Sequence, residues 1–416
     1  MNQSESGSRE SLPDSVSYLS RHAGRCGCLD KCAYGGPRVQ IIGLFSGIGG
    51  LELGFQNAGH HAILLNEIDE ACQTVLRERF ATDIVGDIFD LKRLPQADAI
   101  VAGFPCQPFS QAGPTSGLHA SRELLRQMFS LIAKTAKRRR PSFVILENVQ
   151  NIVHLERGRA LAYVTRSVES LGYKWAYRII DTSAFGLPQR RRRWVFVASL
   201  DDSAASILLD DDVGPPPQQK DVQAHGFYWT EGNAGLGWAH DSVPPLKAGS
   251  GVNIPSPPAI WVHSSRAIVK PQIADAEALQ GFPPGWTAIE TDVPNFERKR
   301  WKMIGNAVSV PIATWIAERL SRRSQNEHIP HGSSFLKSGP WPLAALGRGG
   351  QRYCVPVSAF PIRLEMTPIM RFLQHEPLPL SARATRGFRC RLQGSNLRYP
   401  KQFLADLLHH EQLVTP

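Results

Sequence analysis

Short apolar runs alternate with amphipathic segments from about residue 39 to residue 320, and this alternation predicts strands followed by helices. The runs are rich in β-branched or small side chains, which is typical of strands buried on both faces of a parallel sheet. The expected strands are residues 39–45, 62–65, 84–85, 99–102, 143–146, 174–181 and 194–198. The expected helices between or after them are residues 70–80, 122–137, 158–171 and 312–320. The pattern therefore predicts an α/β fold.

A glycine-rich turn follows the first predicted strand. Residues 46–50 read Ser-Gly-Ile-Gly-Gly and open a helical pattern, the order in which α/β folds cradle nucleotides, although many other turns carry glycines. Glu67 follows the second strand, where a carboxylate can accept hydrogen bonds from a ribose diol. Asp87 follows the third strand and could accept one from an adenine amino group. Either acid alone fits a solvated loop, but this order predicts a nucleoside-bearing cofactor.

Cys106 follows the strand 99–102 in a loop that reads Gly-Phe-Pro-Cys-Gln-Pro. A lone cysteine is usually a small buried hydrophobe. Here Pro105 and Pro108 stiffen the loop, so we expect the thiol at the carboxyl edge of the sheet, where α/β enzymes keep reactive groups. A nucleophilic thiolate needs an acid as its partner. Glu147 supplies one, because the apolar strand before it can desolvate the carboxyl group and raise its pKa.

Four consecutive arginines, residues 190–193, lead into the strand 194–198. Alternation along a strand would place Arg191 and Arg193 on one face and Arg190 and Arg192 on the other. One pair could then enter a site while the other meets a phosphate backbone. A plain solvated patch is an equal alternative.

A formal net charge of +10 favours a polyanionic partner, with nucleic acid first. No apolar run approaches the ~20 residues of a membrane helix, and an odd count of 7 cysteines fits a reducing compartment, so we expect a cytoplasmic protein without membrane attachment. Residues 1–37 form a polar tail. Candidate metal ligands in that tail are His22, Cys26, Cys28 and Cys32. Their spacing lacks two separated ligand pairs, which favours a disordered tail without metal.

Taken together, these motifs resemble the cytosine-5 DNA methyltransferase family of the bacterial restriction-modification type. The resemblance covers about residues 39–320. It rests on residues 45–50, 103–108, 147–149, Gln189 with Arg191 and Arg193, 279–283 and 305–308. It implies a Rossmann-like domain that binds S-adenosyl-L-methionine, and duplex DNA as substrate.

The resemblance also implies roles for single residues. The Cys106 thiolate adds to C6 of cytosine, and Glu147 supplies a proton or a strong hydrogen bond at N3. Arg191 and Arg193 hold the pyrimidine carbonyl and the Glu147 carboxylate. C5 then takes the methyl group, after the base has been flipped out of the duplex. The implied cofactor contacts are Phe45, Gly47, Gly49, Glu67, Ile68, Asp87, Pro105, Asn306 and Val308.

The expected domain order follows from where the periodic pattern stops. Residues 38–200 form the catalytic domain, 201–265 an irregular or β-rich target-recognition region, and 266–322 the return to the catalytic domain. Residues 323–416 are a linker and a basic extension, either a small DNA- or partner-binding domain or a docking segment. A monomer with a cognate restriction endonuclease is expected. The alternatives are a tRNA cytosine-5 methyltransferase and a nonenzymatic cofactor- or DNA-binding regulator.

Overall fold

The computed structural model describes residues 38–105, 116–201, 203–217, 221–231, 235–247, 256–323, 330–335 and 340–415. Cys106 lies outside these residues, as do the histidine and cysteines of the N-terminal tail. In the parts of the chain that are described, no helix is both long and apolar enough to cross a membrane.

The strands are short, and the first seven lie where the apolar runs predict them, whereas β8 to β15 were not predicted individually. In chain order they are β1 Gln40–Leu44, β2 His61–Asn66, β3 Ile84–Val85, β4 Ala99–Ala102, β5 Phe143–Val149, β6 Lys174–Asp181, β7 Arg192–Ser199, β8 Ala224–Phe227, β9 Ala239–His240, β10 Ala259–Val262, β11 Ala267–Lys270, β12 Ser334–Phe335, β13 Ala344–Arg348, β14 Gln351–Cys354 and β15 Leu378–Pro379. The helices are α1 Gly50–Asn57, α2 Glu70–Arg79, α3 Ser116–Lys134, α4 Arg159–Ser170, α5 Ala204–Leu208, α6 Ile273–Leu279, α7 Phe296–Asn306, α8 Val310–Arg322, α9 Ile369–Phe372, α10 Ala382–Gln393 and α11 Lys401–Leu413.

A large mixed sheet forms the centre of the molecule, in the order β12-β14-β13-β6-β7-β5-β4-β1-β2-β3. Strands β3, β2, β1, β4 and β5 are parallel, whereas β7 lies between β5 and β6 and runs antiparallel to both. The carboxyl ends of the parallel strands therefore meet at one edge, which is where open α/β sheets bind ligands. The α/β, Rossmann-like prediction is confirmed.

Both faces of this sheet are covered, as the unbroken apolar runs require. Ile42 faces the core that contains Leu125 of α3 and Val164 of α4. Its neighbour Ile41 points to the opposite core, which contains residues of α1 and α8. Helices α1 and α8 pack so closely that a Cβ atom on Gly54 would lie 2.3 Å from the Ala313 Cβ. Residues distant in sequence therefore complete the core on this face of the sheet.

A second, antiparallel sheet has the order β15-β11-β10-β8-β9. One face packs on the core that contains α6 and α7. The C-terminal helices α10 and α11 cover the other face, with Phe388 and Phe403 against Phe227 and Trp261. The expected end of the recognition region at residue 265 falls in the turn between β10 and β11, so the sheet continues to Lys270.

The C-terminal extension is divided between the two sheets. Strands β12, β13 and β14 extend the large sheet beyond β6, whereas β15 and the last two helices belong to the small sheet. Within the described residues the extension docks on the rest of the chain, because its apolar side chains complete cores that the preceding residues leave open.

One predicted helix has different ends. The expected helix 122–137 runs from Ser116 to Lys134, and Lys137–Arg139 form a separate 3₁₀ turn. The basic run therefore lies in the connection to β5. Its side chains are largely exposed there, so their charges stay solvated and carry little desolvation penalty.

Candidate active site and cofactor cleft

Glu147 and Arg193 form an ion pair at the carboxyl edge of the large sheet. We expected Glu147 just beyond a strand, but it lies within β5, because the antiparallel partner β7 continues the pairing as far as Val149 and Arg193. Glu147 is opposite Val195, so Arg193 is its diagonal neighbour on the same face, within reach of a long side chain. The Arg193 Nε lies 3.0 Å from the Glu147 Oε1, and both side chains are about nine-tenths buried.

Burial raises the pKa of the Glu147 carboxyl group, while the nearby charges of Arg193 and Arg191 oppose that rise. A carboxyl group in this setting keeps a proton to higher pH than a solvated glutamate does. The pair can therefore present a proton donor beside a fixed cation. That combination suits a heteroaromatic ring that gains negative charge during a reaction.

Arg191 occupies a different place from the one expected. Its side chain is buried, and its terminal nitrogens donate to the carbonyls of Leu246, Gly305 and Ala307 over 3.2, 3.2 and 2.8 Å. Among the described residues no hydrogen bond joins it to Glu147. The guanidinium instead ties the return segment and residue 246 to the start of β7, because three backbone carbonyls converge on it. Arg190 and Arg192 are exposed, and Arg192 pairs with Asp181 over 3.2 Å.

Gln189 makes a second buried connection, which the sequence analysis did not assign. Its amide nitrogen donates to the Leu279 carbonyl over 2.7 Å, and its amide oxygen accepts from the Leu246 backbone N–H over 3.2 Å. Gln280 continues the network by donating to the Ile304 carbonyl over 2.9 Å. The available signal was the position of both glutamines inside family motifs. Their partners are far away in sequence and could not be inferred.

Asn148 connects the strand of Glu147 to the loop that leads to Cys106. Its Nδ2 donates to the Phe104 carbonyl over 3.1 Å, and the Phe104 ring packs edge-on against Trp194 at 6.5 Å between centroids. Pro105, the last described residue of this loop, is exposed. The loop that leads to Cys106 therefore leaves the sheet from a point held by the residue next to Glu147.

The glycine turn has a left-handed backbone at three positions, a conformation which glycine adopts without strain. Phe45, Gly47 and Gly49 have positive φ angles of 55°, 57° and 85°. Gly47 N–H donates to the Glu67 Oε2 over 2.7 Å, and Asp69 N–H donates to the Glu67 Oε1 over 2.8 Å. Burial raises the pKa of Glu67. The expected ribose acceptor thus lies against the turn, and each of its oxygens keeps a further lone pair for a ligand.

Two exposed apolar side chains lie beyond β2 and β3. Ile68, one of the expected cofactor contacts, is 71% exposed, and Phe89 is 45% exposed. Asp87 lies between β3 and Phe89 and accepts a hydrogen bond from the Phe89 N–H over 3.0 Å. The sequence analysis did not select Phe89. A large apolar residue directly after the Asp87 turn was the signal for it.

Val308 joins the return segment to this cleft. A Cβ atom on Gly103 would lie 3.2 Å from the Val308 Cγ2, 3.8 Å from the Phe45 carbonyl oxygen and 3.9 Å from the Glu147 Oε2. A Cβ atom on Gly50 would lie 2.4 Å from the Val308 carbonyl oxygen. Asn306, at the end of α7, is exposed. The glycine turn, the acid and the return segment therefore meet around Gly103.

Comparisons with known proteins agree with this arrangement. A family model described as C-5 cytosine-specific DNA methylase matches residues 39–228. Type II methyltransferase M2.BsuMI of Bacillus subtilis (strain 168) is 41% identical over 380 residues, covering 89% of this chain and 97% of that protein. Type II methyltransferase M.MspI of Moraxella sp is 27% identical over 318 residues, covering 72% and 74%.

The fold is similar to that of the S. pombe Dnmt2 methyltransferase, with a TM-score of 0.53 and 16% identity over 68% of this chain and 98% of that one. The fold, together with a match to a curated relative over most of the chain, defines the class of protein. The chain belongs to the C-5 cytosine-specific DNA methylase family. It is a DNA (cytosine-5)-methyltransferase, which confirms the resemblance of its motifs.

Proposed function

We propose that the enzyme transfers a methyl group from S-adenosyl-L-methionine to C5 of a cytosine flipped out of a specific duplex sequence. We further propose that it is the modification component of a restriction-modification system. The observation that carries the proposal is the meeting of Phe45, Val308 and Glu147 around Gly103, all within 4 Å of a Cβ position there. The cofactor turn and the acid thus border one small space at the carboxyl edge of the sheet.

The residues present fit this cofactor. Gly47 has a φ of 57° and no atom within 4 Å of the position where a Cβ would lie, so its side of the turn is open. The exposed Ile68 offers an apolar surface for an adenine ring, while Glu67 and Asp87 offer acceptors for the ribose and the adenine amino group. Phe45, Gly49, Pro105, Asn306 and Val308 are the further proposed contacts. When bound, S-adenosyl-L-methionine supplies a methyl group on a sulfonium.

Glu147 and Arg193 act on the pyrimidine in this proposal. The Cys106 thiolate adds to C6, which makes C5 nucleophilic and pushes negative charge toward N3. The raised pKa of Glu147 lets its carboxyl group donate a proton or a strong hydrogen bond at N3. Arg193 keeps that carboxyl oriented and can hold the pyrimidine carbonyl. Once C5 carries the methyl group, its proton passes to water and the C6–S bond breaks, which releases the Cys106 thiolate and regenerates the enzyme. Arg191 positions the return segment, since its terminal nitrogens are engaged by backbone carbonyls.

Base extrusion costs a few kcal/mol, which contacts of the small sheet with the duplex must offset. We place the enzyme in the cytoplasm, where bacterial DNA lies, as a monomer that acts beside a cognate restriction endonuclease. Both curated relatives described above are named Type II methyltransferases, which supports the modification role.

The test is transfer of labelled methyl groups from S-adenosyl-L-methionine into unmethylated duplex DNA, with tRNA in parallel and bisulfite sequencing of the product. We expect methylated cytosines within one short recurring sequence. Cys106→Ser should abolish transfer and retain cofactor binding. Cys390→Ser is the matched control, because Cys390 is exposed on α10 and should leave turnover unchanged.

Label in tRNA alone would overturn the DNA proposal in favour of the RNA alternative. Full turnover by Cys106→Ser would overturn the thiolate mechanism.

A further inference from the structure

The outer half of helix α10 is basic. Its inner face is formed by the buried residues Thr385, Phe388 and Leu392. Arg383, Arg386 and Arg391 project from the opposite half and are exposed. From residue 381 to residue 401 the sequence contains no acid. The cations of that stretch are Arg383, Arg386, Arg389, Arg391, Arg398 and Lys401.

Packing holds this helix firmly in place. Phe388 contacts Phe227 of β8 at 5.2 Å and Phe403 of α11 at 6.2 Å between ring centroids. Asp406 of α11 accepts from the Trp261 Nε1 over 2.9 Å and pairs with Arg266 over 2.6 Å. The basic half therefore lies on a rigid support, so binding a ligand there loses little backbone conformational entropy.

The C-terminal end of α10 lies beside residues 228–247, the segment that contacts Arg191. The Arg391 Nη2 donates to the Trp229 carbonyl over 2.8 Å. The neighbouring residue Tyr228 donates from its hydroxyl to the Pro245 carbonyl over 2.8 Å, and Lys247 Nζ lies 4.0 Å from its ring centroid. Leu246, in the same segment, accepts a hydrogen bond from Arg191 over 3.2 Å. The C-terminal end of α10 is thus connected, through residues 228–247, to the segment that leads into β7.

We propose that the outer half of α10 binds the phosphate backbone of the duplex that flanks the target base, with Arg383 and Arg391 as contacts. This inference rests on the proposed action on duplex DNA. Arg383 and Arg391 are separated by ~12 Å along the helix at 1.5 Å per residue. That distance corresponds to about three or four base pairs at 3.4 Å per step of one strand. The exposed guanidinium groups have the planar, multiple-donor form that suits phosphate oxygens.

The test measures the binding of the full chain to a mixed-sequence duplex at several salt concentrations. Each phosphate contact contributes about −0.9 to the slope of log affinity against log salt. Arg383→Gln/Arg391→Gln should therefore flatten the slope by about 1 to 2 and weaken binding about tenfold at low salt.

Two variants serve as controls. Arg383→Lys/Arg391→Lys keeps both charges and should keep the slope. Arg138→Gln/Arg139→Gln removes the same charge from exposed residues that precede the amino end of β5. These residues lie at the opposite edge of the sheet, so this variant should also keep the wild-type slope. Because Arg391 holds a backbone carbonyl, Arg383→Gln alone is the fallback if the double variant unfolds.

An unchanged slope in Arg383→Gln/Arg391→Gln would overturn the proposal, as would an equal change in the Arg138→Gln/Arg139→Gln control. Loss of affinity for a duplex RNA competitor alone would also overturn it and assign the patch to RNA. Failure of the proposed function is distinguishable, because the wild-type chain would then transfer no methyl group to any duplex.

Discussion

The Asn148 amide nitrogen donates to the Phe104 carbonyl over 3.1 Å, and this bond joins the strand of Glu147 to the end of β4 and the residues that follow it. Asn148 is buried, so no water can readily replace it. The strand of the proposed acid and the start of the loop that leads to the proposed nucleophile therefore share one structural support.

Asn148→Ala should lower kcat by about 10- to 100-fold, because a misplacement of about 1 Å at a reacting group has an effect of that size. Cofactor binding should change little, since Asn148 does not touch the glycine turn. Single-turnover methyl transfer and calorimetric titration with S-adenosyl-L-methionine separate the two effects. Asn151→Ala is the control, because Asn151 is exposed two residues beyond β5. Equal losses in both variants would contradict the assigned role.

Glu147→Gln should reduce kcat by about 10²- to 10⁴-fold, the usual contribution of a general acid. The pH profile gives the sharper test. Burial raises the pKa of Glu147, so the proton needed at N3 is present below that raised pKa and is lost as the pH rises through it. The wild-type rate should therefore fall on the alkaline side, while the residual rate of Glu147→Gln stays level there. A parallel alkaline decline in the variant would assign the titration to another group.

Trp286→Phe should weaken cofactor binding about 5- to 10-fold. The Trp286 Nε1 donates to the Ile48 carbonyl in the glycine turn over 2.8 Å, and both residues are buried. Removing the donor leaves a buried carbonyl unpaired, at a cost of about 1–3 kcal/mol. Trp341→Phe removes a similar bond to the Gly158 carbonyl, away from the turn, and should leave the Kd for S-adenosyl-L-methionine unchanged. Equal affinity of wild type and Trp286→Phe would show that the turn needs no such support.

Glu52→Gln should stabilise the protein at pH 8 and remove a pH dependence of folding. Burial raises the pKa of Glu52 from its ordinary value of 4.5 to about 7. The folded state then binds more protons than the unfolded state between these values. The contribution of Glu52 to the free energy of unfolding is therefore greatest below pH 4.5 and is lost as the pH rises through about 7. The decline amounts to about 3 kcal/mol, because each pKa unit is worth about 1.4 kcal/mol.

Urea unfolding between pH 5 and pH 8 checks this prediction. Glu78→Gln is the control, because Glu78 is exposed on α2 and its replacement should leave the wild-type slope in place. A wild-type stability that rises across this range would contradict the assignment.

Local signals in the chain were sufficient for the central elements. Apolar runs of β-branched residues predicted β1, β2, β4 and β6 because a strand covered on both faces needs such side chains wherever it lies. The glycine turn and the acids after each strand were also visible, since backbone geometry and parallel topology bring strand ends to one edge.

Contacts between distant segments account for what local patterns missed. Arg191 lies two residues before Arg193 and was expected to contact the pyrimidine or Glu147 together with it. Its guanidinium instead donates hydrogen bonds to the carbonyls of residues 246, 305 and 307. The extension could not be assigned between a separate domain and a docking segment. Its strands pair with β6 and β11 only because those edges are open in the folded sheets. Hydrophobic periodicity reports which residues are buried, whereas the partner that buries them depends on long-range packing.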